Sequence, residues 1–190
     1  MKPSKTIIWS LVMLVIIASL YRVIPNRPYG FAPQWAMAVF TGAVIKDKKW
    51  AFIVPVLSMF ISDLLYQMLY VTGVSSLPGF YEGQWQNYIL FGLLPLVGMA
   101  IRKVNIIGVV TASLAAPTVY FLLSNFVLWA GWSGTRGLGR PKTFDGLMQC
   151  YNDAIPFYRT SLFATVIFSV ILFGGYILLK KREGKLQVAR

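Results

Sequence analysis

A series of apolar runs, each close in length to the thickness of a bilayer, constrains this chain more than anything else in it. A helix rises about 1.5 Å per residue, so about 20 mostly apolar residues cross the hydrocarbon core. Six runs fit that description, at 6–24, 33–45, 50–70, 86–100, 106–130 and 155–179, the second being short. The first follows Lys2 and Lys5 in the manner of a signal peptide. Its apolar stretch, however, exceeds the usual signal core of about 7–15 residues, and no small-x-small cleavage site follows. It reads as a true span. No linker or composition shift divides the chain, so residues 1–190 are expected to form one transmembrane domain. The expected fold is an all-α integral membrane protein with six transmembrane helices.

Charge sets the expected orientation. Only 13% of the residues are charged, whereas a soluble domain carries about a quarter. That excludes a water-soluble enzyme and a disordered chain. The net charge of +12 would suit nucleic acid taken alone, but its placement follows the spans instead. Twelve of the 18 basic residues fall in the tails and two minimal turns: Lys2, Lys5, Lys46, Lys48, Lys49, Arg102, Lys103, Lys180, Lys181, Arg182, Lys185 and Arg190. The others are Arg22, Arg27, Arg136, Arg140, Lys142 and Arg159. Basic residues in short loops mark the cytoplasmic side. Both termini are therefore expected in the cytoplasm, with the protein multi-pass in its membrane. The basic turns meet anionic lipid headgroups rather than nucleic acid.

What is missing narrows the chemistry further. There is no histidine and one cysteine, Cys150, which excludes a Ser-His-Asp triad, a His-ligated metal and an internal disulfide. No phosphate-binding Gly-Lys-Ser/Thr loop is present, so the chain does not hydrolyse ATP by that route. No catalytic residue, metal or cofactor is expected, and Cys150 reads as a small loop hydrophobe.

The residues that carry information gather at the external face. The external loops, 25–33, 71–85 and 131–154, are longer than the turns and rich in Pro, Gly, Tyr and Trp. The 71–85 segment has the character of a lid. Asp63 lies in the outer half of the third span and Arg159 about one turn inside the sixth, so the two could meet at similar depth, either as a substrate-facing ion pair or ligand contact or as a structural pair that fixes helix packing. Asn125, after Ser124, lies near the outer end of the fifth span, and Trp129 and Trp132 fit an interfacial aromatic belt. Asn26, Tyr29, Phe31, Asp63, Asn125, Trp129, Tyr151, Tyr158 and Arg159 all map to this one face and form the candidate substrate-binding set. Six basic residues against Asp63, Glu82, Asp145 and Asp153 lean toward an anionic or neutral solute. A second set is built from small residues. Ala38 and Gly42 on the second span, and Gly108, Ala112 and Ala116 on the fifth, let helix backbones approach. They serve either packing within the bundle or docking of a partner's helices. Pro55, Pro95 and Pro117 fall inside spans and kink them.

Several runs carry a resemblance. These are 25–33 with 36–43, Pro55 to Asp63, Ser124 to Trp129 and, most specifically, Pro141 to Arg159. Across nearly its whole length the chain resembles an uncharacterised bacterial family of six-helix transport proteins. That family is itself similar to the substrate-binding S components of energy-coupling factor (ECF) transporters. The resemblance implies a six-helix bundle that binds a vitamin-like solute from outside. It also implies a partner, a transmembrane coupling subunit driven by ATPases. The Ala-x-x-x-Ala surface typical of the first helix of S components is absent from Ser10 to Ala18; the small-residue runs stand on spans two and five.

Two functional readings follow. In the first, the chain is the membrane-embedded substrate-binding subunit for uptake of a small vitamin-like solute, with aromatics stacking on a ring and Asn26, Asp63, Asn125 and Arg159 meeting its polar groups. In the alternative, it is an accessory subunit of a larger inner-membrane complex with no ligand of its own. An intramembrane enzyme is the poorest fit, because Asp63, Glu82, Asp145, Asp153, tyrosines and Cys150 are the only external chemistry.

Overall fold

The computed structural model describes the backbone of residues 5–101, 103–131 and 139–188, and the side chains of 9–101, 103–131 and 139–181. Lys2, Arg102, Trp132, Arg136 and Arg190 lie outside the described residues, as do the side chains of Lys5, Arg182 and Lys185. What is described is all-helical. The order is α1 (Lys5–Arg22), α2 (Gln34–Val44), α3 (Lys48–Val71), α4 (Gln84–Gly92), α5 (Pro95–Met99), α6 (Ile106–Trp129) and α7 (Phe144–Val188).

Three of these helices, not six, are long and apolar enough to cross a membrane: α3, α6 and the 38-residue Phe144–Lys181 part of α7. The 24 residues of α3 and of α6 each reach about 36 Å. The 11 residues of α2 reach only about 16 Å. The fourth apolar run is not one helix. Pro95 lacks the N–H that would bond back to α4, so the chain tightens through Leu93 N–H to Leu90 O and Leu94 N–H to Phe91 O and restarts as α5. The last run starts earlier than expected. Helix α7 begins at Phe144, so the segment holding Cys150, Tyr151 and Asp153 is helix rather than external loop.

Local chemistry sets the other starts. The Asp47 carboxylate accepts from Lys49 N–H at 3.0 Å to open α3, and the Asn105 amide oxygen accepts from Gly108 N–H at 2.8 Å to open α6.

Helix α2 is the buried axle. Gln34, Ala36, Met37, Ala38, Val39, Thr41 and Gly42 are all buried, and α3, α5, α6 and α7 pack around them. The approach of α2 to α5 is close enough to require glycine on both sides. A Cβ at Gly42 would lie 2.0 Å from Pro95 O, and one at Gly98 would lie 2.1 Å from Val39 O. Ala38, Ala112 and Ala116 belong to the core cluster with Val39, Met59, Phe91, Leu94 and Phe173. Gly108 meets the Asn105 cap. Ala38, Gly42, Ala112 and Ala116 are thus buried inside this chain, whereas Gly108 is half-buried.

Large apolar side chains face outward, among them Leu114, Leu122 and Leu123 of α6 and Phe163, Ile167, Val170 and Ile171 of α7. A helix that is apolar all round needs an apolar surrounding on its outer side, so a membrane location is physically sensible for these helices.

Candidate functional site

A cavity of about 510 Å³ opens at one end of the bundle. It lies where the start of α2, the start of α4, the last turns of α6 and the 154–161 part of α7 converge, and the 29–30 and 81–83 loops close its rim. Ligand cavities for small molecules run from about 300 to 1,000 Å³.

Aromatic rings build the walls. Tyr158 of α7 stacks on Phe121 of α6 at 4.5 Å between centroids, and Trp35 of α2 meets Tyr120 of α6 edge-on at 5.8 Å. Tyr29 at the rim packs edge-on against Phe157 at 6.2 Å. The loop carrying Tyr29 seats on α7 through Gly30, whose φ of +81° and close neighbours, Ser161 Oγ and Phe157 O, leave no room for a side chain.

The polar groups of the walls are mostly engaged. The Tyr158 hydroxyl pairs with Thr118 Oγ1 at 2.8 Å. Tyr120 donates its hydroxyl to Asn87 Oδ1 at 3.2 Å, and Asn87 Nδ2 donates to the Tyr81 hydroxyl at 2.5 Å. Ser161 donates to Phe157 O at 2.9 Å. Asn125, only 8% exposed, donates Nδ2 to Phe121 O at 2.8 Å. A carbonyl can only accept, so this bond sets which end of the amide is which. Its Oδ1 has no hydrogen-bond donor among the described residues. The indole Nε1–H of Trp35 is buried without an acceptor.

A second polar cluster lies on the other side of α4. Asp63 is 1% exposed. Its Oδ1 pairs with the guanidinium of Arg22 from the last turn of α1, not with Arg159. Gln84 Nε2 donates to Oδ2 at 2.5 Å and the Tyr88 hydroxyl donates to the same oxygen at 2.7 Å. Arg22 also donates to Ser62 Oγ at 2.6 Å, while the Tyr66 hydroxyl donates to Arg22 O at 2.7 Å. The pairing with Arg159 is corrected here. Arg159 is exposed, and among the described residues no ion pair joins it to Asp63.

Helix α4 separates the two regions by its own periodicity. Gln84 and Tyr88, four residues apart, face Asp63, whereas Gln86, Asn87 and Leu90 line the cavity. The 71–85 segment is pinned rather than free. Gly79 N–H donates to Gln67 Oε1 at 3.1 Å, and a Cβ at Gly79 would lie 1.8 Å from Asp63 O. Its last residues, Tyr81 and Glu82, then become cavity wall.

Of the nine substrate-binding candidates, Tyr29, Asn125 and Tyr158 line the cavity. Asn26 and Phe31 line a separate, more open hollow with Tyr21 and Pro25, where Asn26 takes a left-handed φ of 60°. Tyr151 donates its hydroxyl to Leu122 O at 3.1 Å, outside the cavity. Trp129 Nε1–H donates to Pro141 O at 2.9 Å, and the Lys142 ammonium donates to Trp129 O. These contacts tie the end of α6 to Pro141 and Lys142. Sequence reasoning passed over Trp35, Gln86, Asn87 and Phe121. A signal for two of them was present, since Gln86 and Asn87 are adjacent amides at the head of an apolar run.

A model of a family of unknown function, DUF6580, matches residues 2–186. No curated protein and no solved structure matches the chain. Nothing in these comparisons links it to ECF S components.

Proposed function

We propose that this chain, which belongs to the DUF6580 family of unknown function, is a membrane-embedded substrate-binding subunit that takes up a small vitamin-like solute from the extracytoplasmic side. The observation that carries the reading is the cavity of about 510 Å³, walled by stacked and edge-on rings and entered between loops. An apolar concavity with a few convergent polar groups is the usual form of a small-molecule site.

Two further features support the reading. The three long apolar helices supply the membrane frame, with α1, α2 and the broken α4–α5 pair completing a six-pass arrangement. The turns at the end opposite the cavity carry Lys46, Lys48, Lys49 and Lys103, which favours placing that end in the cytoplasm of a bacterial inner membrane. The cavity then faces outward. Release inward requires reorientation of the bundle or an energised partner, for which a transmembrane coupling subunit with ATPases is the natural candidate.

The test is native mass spectrometry of the gently purified full chain. The expected result is a reproducible added small-molecule mass that disappears in Tyr158→Ala and in Phe121→Ala, while both variants stay monodisperse in detergent. A wild-type chain that carries no small molecule points instead to an accessory subunit of a larger complex.

A further inference from the structure

We infer that the cavity selects an uncharged planar ring, one that offers an acceptor to the Trp35 indole N–H and a donor to the Asn125 amide oxygen; this rests on the solute-binding reading above. Charge is the first discriminator. No Lys or Arg stands among the described residues that line the cavity. Among the described residues, the basic side chains near this end are engaged elsewhere or face outward. Arg22 pairs with Asp63 behind α4, Arg140 pairs with Asp153 at 2.5 Å, Lys142 is bound to Trp129 O, and Arg159 is exposed. A carboxylate or phosphate would enter an apolar enclosure with no counter-charge, which is among the most costly transfers in protein chemistry. The one acidic residue among the described lining, Glu82, already has an interaction within the chain. The basic bias of the external loops therefore does not describe the cavity.

Hydrogen-bond completeness is the second discriminator. The hydroxyls of Tyr158, Tyr120 and Ser161 and both ends of the Asn87 amide are engaged within the chain. One buried donor, and one acceptor on the cavity wall that is not itself sealed from solvent, are left over. Trp35 Nε1–H can only donate and has no acceptor. Asn125 Oδ1 can only accept, because Phe121 O already holds the amino end of that amide. Buried polar groups in folded proteins nearly always find partners, so one unmatched donor and one unmatched acceptor at a single cavity specify their complement. A flat ring bearing both an acceptor and an N–H or O–H meets that demand, and the stacked Tyr158–Phe121 pair with the perpendicular Trp35–Tyr120 pair offers faces and edges suited to flatness.

The experiment identifies the retained molecule by mass and fragmentation after release from the full chain. It then asks whether nicotinamide, an uncharged ring amide, or nicotinate, the same ring bearing a carboxylate, displaces that molecule. The expected result is a neutral ring compound, displaced better by nicotinamide. Its retention falls about tenfold in Trp35→Phe and in Asn125→Leu, the effect of removing one hydrogen bond to a buried group. Trp35→Phe keeps a ring in the wall, so it remains informative if Asn125→Leu does not fold. A retained molecule that carries a charge, better displacement by nicotinate, or unchanged retention in both variants overturns the inference and leaves the solute-binding reading standing. A wild-type chain that retains nothing and responds to neither probe overturns both.

Discussion

Asp63 and Asn125 are both buried polar side chains on long helices at the same end of the bundle, and they differ in what is left to bond. Around the Asp63 carboxylate the account closes, although Gln84 Oε1 beside it is buried without a donor. One carboxylate oxygen meets Arg22 and the other meets Gln84 and Tyr88, so three helices are tied by a single side chain. Around Asn125 it stays open, with an amide oxygen and the nearby Trp35 N–H lacking partners beside a cavity. A carboxylate engaged at both oxygens in a low-dielectric interior leaves a solute little of its own to hold. An unsaturated wall is less favourable for the folded chain alone and becomes favourable when filled. The ionisable residue that attracts the eye in the sequence is therefore the structural one, and the amide is the better candidate for binding.

The largest expected effect tests the closed region. Asp63→Leu leaves the Arg22 guanidinium, with 24% of its side chain exposed, without its counter-charge and held by the neutral Ser62 Oγ and Met59 O. The expected cost is about 3 kcal/mol of stability, read as a lower thermal midpoint in detergent. Adding Arg22→Met to that variant is expected to recover most of the loss. Additive losses in this double-mutant cycle would break the pairing.

An intermediate effect sharpens the boundary of the open region. Gly30→Ala forces a left-handed position to carry a Cβ that meets Ser161 Oγ at 2.8 Å and Phe157 O at 2.9 Å. The expected cost is about 1–3 kcal/mol, together with weaker retention of the small molecule as the Tyr29 rim lifts from α7. Full retention in this variant would show that the rim takes no part in holding the solute.

The smallest effect is the control. Arg159→Gln removes an exposed charge that belongs to neither region, so stability is expected to change by less than about 0.5 kcal/mol and retention not at all. A large loss of either kind would return Arg159 to the site.

Legibility of the sequence was uneven for physical reasons. The long helices were readable because apolar length alone identifies them, and α3 and α6 fall within two residues of the expected runs. The start of α7 was not readable. Gly146, Asn152 and Asp153 look like loop residues, yet the helix runs through them. There Thr143 O accepts from Leu147 N–H and Gly146 packs against Pro141 O, where a Cβ would be 2.1 Å away. The partner of Asp63 was misjudged because counting along a helix gives height and not direction. Arg22 was counted with the external charges at the outer end of the first run, although α1 carries it to the level of Asp63 and onto the adjacent face. Tyr29, Asn125 and Tyr158 were singled out from the sequence and also line the cavity. Phe121 and Trp35 were not, since a ring inside an apolar run carries no local sign of facing a void.

Length and hydropathy of the runs determined that this chain is helical and which segments can cross a membrane, because bilayer thickness and the need to satisfy backbone groups act on each segment separately. The missing histidines and the single cysteine determined which chemistries are closed to it. Which side chains meet was decided only by the tertiary structure. The approach of α2 to α5 through Gly42 and Gly98, the rotation of α4 that turns Tyr88 to Asp63 and Asn87 to the cavity, and the closure of the 25–33 loop on α7 depend on how whole helices pack. Packing is a relation between distant segments that no single segment encodes.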